Sequence, residues 1–187
     1  MLKEGTKHLT GLEEATFKNI DAARQLSSCV RTSLGPNGMN KMVINHLDRL
    51  FVTSDAATIM RESDIHHPAA KMIATAAKMQ ESECGYGSNL VISLAGELMA
   101  QAQSLLQMGL HPSEILIGYE KASLYLHSLL ESQVCYTLKD IKSHDEVLKC
   151  MRSSVASKQF GLEDLVGGLI TKACLHTLSS GKKLNVD

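Results

Sequence analysis

A mainly helical chain carrying one small β-hairpin is the fold class this sequence predicts, and three observations lead there. Aromatic residues make up 4% of the 187, with no Trp, while Ala, Leu and Met are abundant. These are helix formers, whereas strands favour β-branched and aromatic side chains. Apolar residues also recur about one helical turn apart through most of the chain. All three prolines, Pro36, Pro68 and Pro112, fall at the ends of those periodic stretches, where proline is tolerated.

The elements follow in order. Thr10 to Glu13 reads T-x-x-E, a capping box in which each side chain satisfies the other residue's free N–H. The amphipathic stretch behind it carries Leu12, Ile20, Ala23, Leu26, Val30 and Leu34, and Gly35-Pro36 ends it. Lys41–Asn45 and Leu50–Thr53 are rich in Val, Ile and Phe and flank a polar turn around Asp48, which predicts the hairpin. His67-Pro68 opens a helix through Ala69, Met72, Ile73, Ala76 and Met79, broken by Gly85-Tyr86-Gly87. Leu90 to Met108 predicts a long helix, apolar on most of its circumference and therefore suited to a core enclosed on every side. His111-Pro112 starts another, with Ile115, Leu116, Tyr119, Ala122, Leu126 and Leu129 on its expected buried side. Ser143 to Glu146 is a second box of S-x-x-E form, leading into a helix through Val147, Leu148 and Met151. Gly161 is expected to begin the last helix, to about Leu178. The polar stretch Thr137–Ser143 is the best candidate domain boundary, and the sequence contains neither an internal repeat nor a low-complexity tract.

Charge and composition exclude several functions. A formal net charge of −1 gives no general attraction to nucleic acid or to an anionic membrane. No apolar run is long enough to span a bilayer, and the first residues, MLKEGTKHLTG, do not read as a signal peptide. Cys29, Cys84, Cys135, Cys150 and Cys174 are scattered, with no C-x-x-C pair. They read as reduced thiols of a cytosolic protein, mostly small core residues, and no zinc site is expected. The Met residues at helical spacing read as core filler, Cys84 as a buried thiol, and His66-His67 as the polar start of a helix rather than a metal site.

Two glycine turns carry the chemistry. Leu34-Gly35-Pro36-Asn37-Gly38-Met39-Asn40-Lys41 follows a helix, and Gly85-Tyr86-Gly87-Ser88-Asn89 opens one. Free N–H groups at a helix start favour an anion, and glycine lets a phosphate approach closely. Ser88 and Asn89 add side-chain donors. Most glycine turns between helices are nonetheless punctuation, and neither segment has P-loop spacing.

Four ordered motifs add a resemblance: TSLGPNGMNKMVI (32–44), VTSDAATI (52–59), HPAAKMI (67–73) and GYGSN (85–89). They resemble, at matching intervals, the patterns T-x-L-G-P-x-G-M-D-K, T-N-D-G-A-T-I, H-P-A-A-K and G-D-G-T-T/N of the group II cytosolic chaperonins. NGMNK and SDAATI look like the theta-type branch of that family, and SVASK (154–158) is similar to the stretch where its intermediate domain reaches the nucleotide. The resemblance covers essentially the whole chain. It implies that residues 1–142 are the amino-terminal half of an ATP-binding equatorial domain, and 143–187 the first segment of an intermediate, hinge domain. The client-gripping apical domain and the returning half of the equatorial domain, with a further catalytic aspartate, would lie beyond this sequence.

The resemblance implies ATP as ligand, with Leu34, Gly35, Pro36, Gly87, Ser88, Asn89, Leu90, Ser157 and Lys158 as nucleotide-binding residues. Asp55 matches a family carboxylate near the γ-phosphate that supports hydrolysis; read from the residues alone it is a helix N-cap, and the two roles are compatible. Lys41 is open between a phosphate partner and a solvated residue, and Lys158 equally between nucleotide contact and the surface. The family aspartate that ligates Mg²⁺ is replaced by Tyr86, a neutral phenol and a poor ligand for a hard cation, so no metal-ligating residue is assigned. Expected partners are the other subunits of a hetero-oligomeric double ring in the cytoplasm, with unfolded clients such as actin and tubulin reached through the ring. Three readings stay open: a protein-folding ATPase subunit, a ring-binding relative that does not hydrolyse ATP, and a truncated relative without function.

Overall fold

The structure, a computed structural model, describes residues 11–178 except for the side chain of Leu12. It is mainly helical, with one two-stranded antiparallel sheet. In order come α1 (Leu12–Arg31), β1 (Lys41–Ile44), β2 (Leu50–Thr53), α2 (Ala56–Glu62), α3 (Pro68–Cys84) and α4 (Ser88–Gln107). Then follow α5 (Pro112–Leu130), a 3-10 turn at Glu131–Gln133, α6 (His144–Ala156) and α7 (Glu163–Leu178). The chain divides into two compact units between Lys121 and Ala122, inside α5; the polar stretch 137–143 falls within the second.

The first unit is built around Val30, Ala56, Ile59, Met60, Ala77 and Ile92, with Leu26, Val43, Ile65, Ile73 and Ala74 packed against them. One buried cluster thus joins the end of α1, all of α2, the middle of α3 and the first half of α4. Helix α1 packs along α4 because Gly96 replaces a side chain at their closest approach: a Cβ there would collide with Ser27. Pro68 and Pro112 occupy the first positions of α3 and α5, and Pro36 lies in the turn after α1. The first capping box involves Thr10, outside the described residues; the N-cap of α1 is Gly11.

The hairpin pairs Lys41 with Thr53, Met42 with Val52, Val43 with Phe51 and Ile44 with Leu50. Successive side chains of a strand point to opposite faces. Val43 and Phe51 are half-buried, while Met42, Ile44, Leu50 and Val52 stay 58–70% exposed. Its tip is closed by Asn45, whose Oδ1 accepts the N–H groups of Leu47 and Arg49 at 3.0 Å. Asp48 takes the left-handed conformation there (φ 54°) that short polar residues tolerate.

Several expectations are corrected. Met72 and Met79 face outward, and the buried side of α3 is Ala70 and Ala77, two positions away and so about 200° round the helix. Small residues win because they let α3 approach its neighbours closely. Of the methionines, Met60 is buried, whereas Met39, Met42, Met72, Met79, Met99 and Met108 are exposed. Cys29, Cys84 and Cys135 are likewise exposed rather than core thiols; Cys150 and Cys174 are half-buried. Helix α4 buries Ile92, Gly96 and Ala102 and leaves Leu90, Leu94, Leu98 and Met99 exposed, as expected of a helix apolar on most of its circumference in a chain that covers only part of the domain. On α5 only Ile115 is buried; Tyr119 and Leu129 are half-buried, and Leu116, Ala122 and Leu126 are exposed. Leu34 lies past the end of α1 and is exposed.

In the second unit α6 packs on α7, burying Val147, Val155, Gly167 and Thr171. Ser143 is the N-cap of α6 but makes no side-chain cap bond. Glu146 instead accepts the N–H groups of Lys139 (2.8 Å) and Asp140 (3.1 Å), tying the preceding loop to the helix. Gly161 (φ 89°) precedes α7, which begins at Glu163.

Candidate functional site

The turn after α1 is closed on itself. Ser33 N–H donates to Val30 O (2.9 Å), Met39 N–H to Thr32 O (2.9 Å) and Gly38 N–H to Gly35 O (3.0 Å). The Ser33 hydroxyl, buried, donates to Met39 O at 2.8 Å. Gly35 has φ 83° and Gly38 has no room for a Cβ against the Ser33 carbonyl, so both glycines are required by this path. The loop therefore presents Leu34, Gly35 and Pro36 at the surface.

The second turn joins α3 to α4. Gly85 (φ 66°) closes α3 by donating to Glu81 O at 2.8 Å, and Gly87 (φ 92°) is the N-cap of α4. Val91 N–H is the first to return a helical bond, to Gly87 O at 3.1 Å. Ser88, Asn89 and Leu90 therefore hold N–H groups without an intrahelical acceptor, at the positive end of a 20-residue helix. Ser88 is buried, Asn89 half-buried and Leu90 exposed.

One carbonyl brings the two turns together. Asn89 Nδ2 donates to Val30 O at 2.9 Å, the same oxygen that receives Ser33 N–H, and Asn89 Oδ1 accepts the Ser93 hydroxyl at 3.0 Å. The Asn89 side chain is thus a brace between α4 and α1, rather than the outward donor its sequence position suggested. Asp55 begins α2 in the same unit. Its Oδ2 accepts Thr58 N–H (2.9 Å) and the Thr58 hydroxyl (2.8 Å), and its own N–H donates to Thr53 Oγ1 (3.0 Å). The carboxylate is thereby fixed as the cap of the helix that carries Ala56, Ile59 and Met60 into the core with Val30 and Ile92. Lys41 starts β1 and is half-buried, paired across the sheet with Thr53. His67 caps α3, its Nδ1 accepting Ala69 N–H at 3.3 Å, and exposed His66 lies 3.2 Å from Asp64.

Ser157 and Lys158 belong to the second unit, at the end of α6. Ser157 Oγ donates to Ser154 O (2.7 Å) and Lys158 N–H to Val155 O (3.0 Å); Lys158 is exposed.

At position 86 the phenol is 54% exposed, and the Tyr86 carbonyl is held by Gln80 Nε2 at 3.0 Å. This position offers no carboxylate, so the residues present do not fit a Mg²⁺ ion held from it. Among the described residues no three His, Cys, Asp or Glu side chains gather as a metal site. None of the helices among them is long and apolar enough to cross a membrane. Two residues that shape the unit, Gln80 and Asn45, escape sequence reasoning because a lone amide has no periodic or motif signal; only its partner reveals it.

Helices, hairpin and paired glycine turns in this order place the chain in a known class. It belongs to the TCP-1/cpn60 chaperonin family, whose sequence profile matches residues 26–187. Within that family it is 56% identical over 188 residues to the T-complex protein 1 subunit theta of Dictyostelium discoideum. It is 55% identical over 190 residues to the theta subunit of Arabidopsis thaliana, and 50% over 187 to that of Homo sapiens. Each alignment covers 100% of this chain and 35%, 35% and 34% of the relative, so the chain spans about a third of the length of the curated relatives it matches.

Proposed function

We propose that this chain is the nucleotide-binding, amino-terminal part of a theta-type subunit of the cytoplasmic chaperonin, with residues 1–142 in the ATP-binding domain and 143–187 in the hinge domain. The single observation that supports the reading is the Asn89–Val30 bond, which ties the start of α4, with the N–H groups of Ser88, Asn89 and Leu90, to the last turn of α1, from which the Leu34–Pro36 loop leaves. Such a pair of backbone turns suits the phosphates of ATP or ADP. Leu34, Gly35, Pro36, Gly87, Ser88, Asn89 and Leu90 are the proposed contacts. Asp55 is proposed to lie near the γ-phosphate and support hydrolysis while capping α2. With Tyr86 in place of a carboxylate, nucleotide binding depends weakly on Mg²⁺ and hydrolysis is slow or absent.

Calorimetric titration of the chain with ADP tests this. Binding is expected, and Gly87→Ala should weaken it at least tenfold, because φ 92° is strained for alanine and a Cβ would press on Gln80. Absence of binding, or the same affinity in the variant, overturns the reading.

The second reading, a ring-binding member that does not hydrolyse ATP, is favoured by the phenol at position 86 and by the outer face of the hairpin. Met42, Ile44, Leu50 and Val52 form an exposed apolar patch on two short strands whose outer edges pair with no other strand among the described residues and so suit strand addition. The partners would be other subunits of the hetero-oligomeric ring, which would also supply the contact with unfolded clients. Co-purification of ring subunits with the tagged chain, abolished by proline at Val52, is the expected result; unchanged recovery removes the hairpin as the contact.

A further inference from the structure

We infer that Gln80 is a positioning residue of the Gly85–Leu90 turn: it fixes the plane of the Tyr86–Gly87 peptide and so sets the direction of the Gly87 N–H. The inference rests on the reading of this turn as phosphate-facing. Gln80 lies one helical turn before the end of α3, and its side chain crosses to the turn beyond, where Nε2 donates to Tyr86 O at 3.0 Å. A carbonyl can only accept, so the amide must present its nitrogen here. The side chain also lies on Gly87: a Cβ at that residue would sit 3.2 Å from Gln80 Nε2 and 3.8 Å from its Cγ.

The consequence follows from peptide geometry. In a planar trans peptide the N–H points opposite to the C=O. Holding the Tyr86 carbonyl towards Gln80 therefore turns the Gly87 N–H away from it, next in the chain to the unsatisfied N–H groups of Ser88, Asn89 and Leu90. The residues flanking that peptide favour no single orientation of it. Gly85 (φ 66°) and Gly87 (φ 92°) flank Tyr86, and glycine adopts either sign of φ at little cost. A flip of the one peptide would point a carbonyl oxygen, instead of an N–H, at an anion bound on the turn. Gln80 supplies the restraint that two glycines remove.

The test compares the full chain with Gln80→Met, which keeps the side chain's length and helix propensity but has no donor. In the ¹⁵N-labelled, ligand-free protein the wild type should give one sharp Gly87 amide signal, broadened or doubled in Gln80→Met. Gln80→Lys, which restores a donor, should return a single signal. On titration, Gln80→Met should lower ADP affinity about tenfold, equivalent to about 1.4 kcal/mol, and change adenosine affinity less than about twofold. Equal losses for ADP and adenosine would mean general disruption and overturn the assignment. If the wild type binds no ADP, the nucleotide reading fails, yet the Gly87 signal still decides the clamp: a Gln80→Met spectrum with Gly87 unchanged overturns it. Should the variant not fold, the wild type decides. Its Gln80 side-chain amide protons must show close contacts to Gly87, and their absence is fatal to the proposal.

Discussion

Asn89 and Val30, 59 residues apart in sequence, meet through a 2.9 Å hydrogen bond from side-chain amide to main-chain carbonyl, and that bond joins the two glycine turns. Its removal has a bounded cost, because Val30 O keeps the Ser33 N–H as a second donor. Asn89→Ala should lower stability by about 1 kcal/mol. Asn89→Asp should cost more, since it sets a carboxylate oxygen against a carbonyl oxygen. Urea unfolding at neutral pH measures both, and an Asp variant as stable as wild type would show that the brace is not formed.

The approach of α1 to α4 turns on Gly96 and Ser27. Gly96→Ala should destabilise the chain by about 1–3 kcal/mol, because the added methyl has no room and the helices must separate. The gain in helix propensity, about 1 kcal/mol, is too small to offset this. Ser27→Gly in the same chain should recover most of the loss, since the collision is with the Ser27 side chain itself. Additive losses in the double variant would place the crossing elsewhere.

Much of this was legible in the sequence, and the failures share a cause. Proline fixes φ and cannot continue a helix inward, and glycine admits the left-handed conformation that ends one, so Pro68, Pro112, Gly85 and Gly87 mark helix ends to within a residue or two. The hairpin strands were read correctly because β-branched runs flank a polar turn. Burial is different, for periodicity defines a face but not what covers it. On α3 the larger Met72 and Met79 looked like the core side, and the smaller Ala70 and Ala77 took it. Ser143 with Glu146 matched a capping pattern, but the carboxylate found two loop N–H groups instead. The capping role of Asp55 is legible from one residue type at one position, because its bond from Thr58 N–H is local. Asn89 stands out by its motif, but its partner Val30 lies on another helix, 59 residues away, and leaves no local signal.

Asn45 gives the hairpin tip a pH dependence. Its Nδ2 donates to Glu62 Oε2 at 3.0 Å, and this bond, aided by the neighbouring Arg61, holds the Glu62 carboxyl below its ordinary range. A carboxyl whose pKa is depressed on folding adds stability above its unfolded value, about 4.3, and loses it as pH falls through the lower folded value. Wild type should therefore lose its stability advantage over Glu62→Gln as the pH falls from about 4.3 through the lower folded value. Thermal midpoints across that range measure it; parallel pH profiles for the two proteins would show that the bond does not form.

In the second unit Thr171 is buried, and its hydroxyl has no hydrogen-bond partner among the described residues. An unmatched buried hydroxyl costs about 1–3 kcal/mol, while the rest of the side chain packs like valine. Thr171→Val should thus be neutral or raise stability, against the usual direction for a core substitution. A clear loss in chemical denaturation would mean that the hydroxyl does find a partner in solution.

The exposed apolar surface makes the last prediction, and it is quantitative because exposure separates residues that hold the fold from residues that do not. Ile92 is fully buried, so Ile92→Ala should cost about 2–5 kcal/mol. Leu94, two residues on and so on the opposite side of α4, at 55% exposure, and Ile44 on the outer hairpin face at 64% already meet water. Leu94→Gln and Ile44→Lys should each shift stability by less than about 0.5 kcal/mol. The same two changes should reduce binding of a hydrophobic-surface dye and lower concentration-dependent association, since contiguous exposed apolar patches promote both. Because total stability of a domain is only about 5–15 kcal/mol, the chain studied alone should be marginal, with strong dye binding before it unfolds. A dye-silent monomer with a sharp thermal transition would mean that these side chains are covered in solution by some rearrangement of the chain. Leu94→Gln would then be destabilising, and that single measurement separates the two cases.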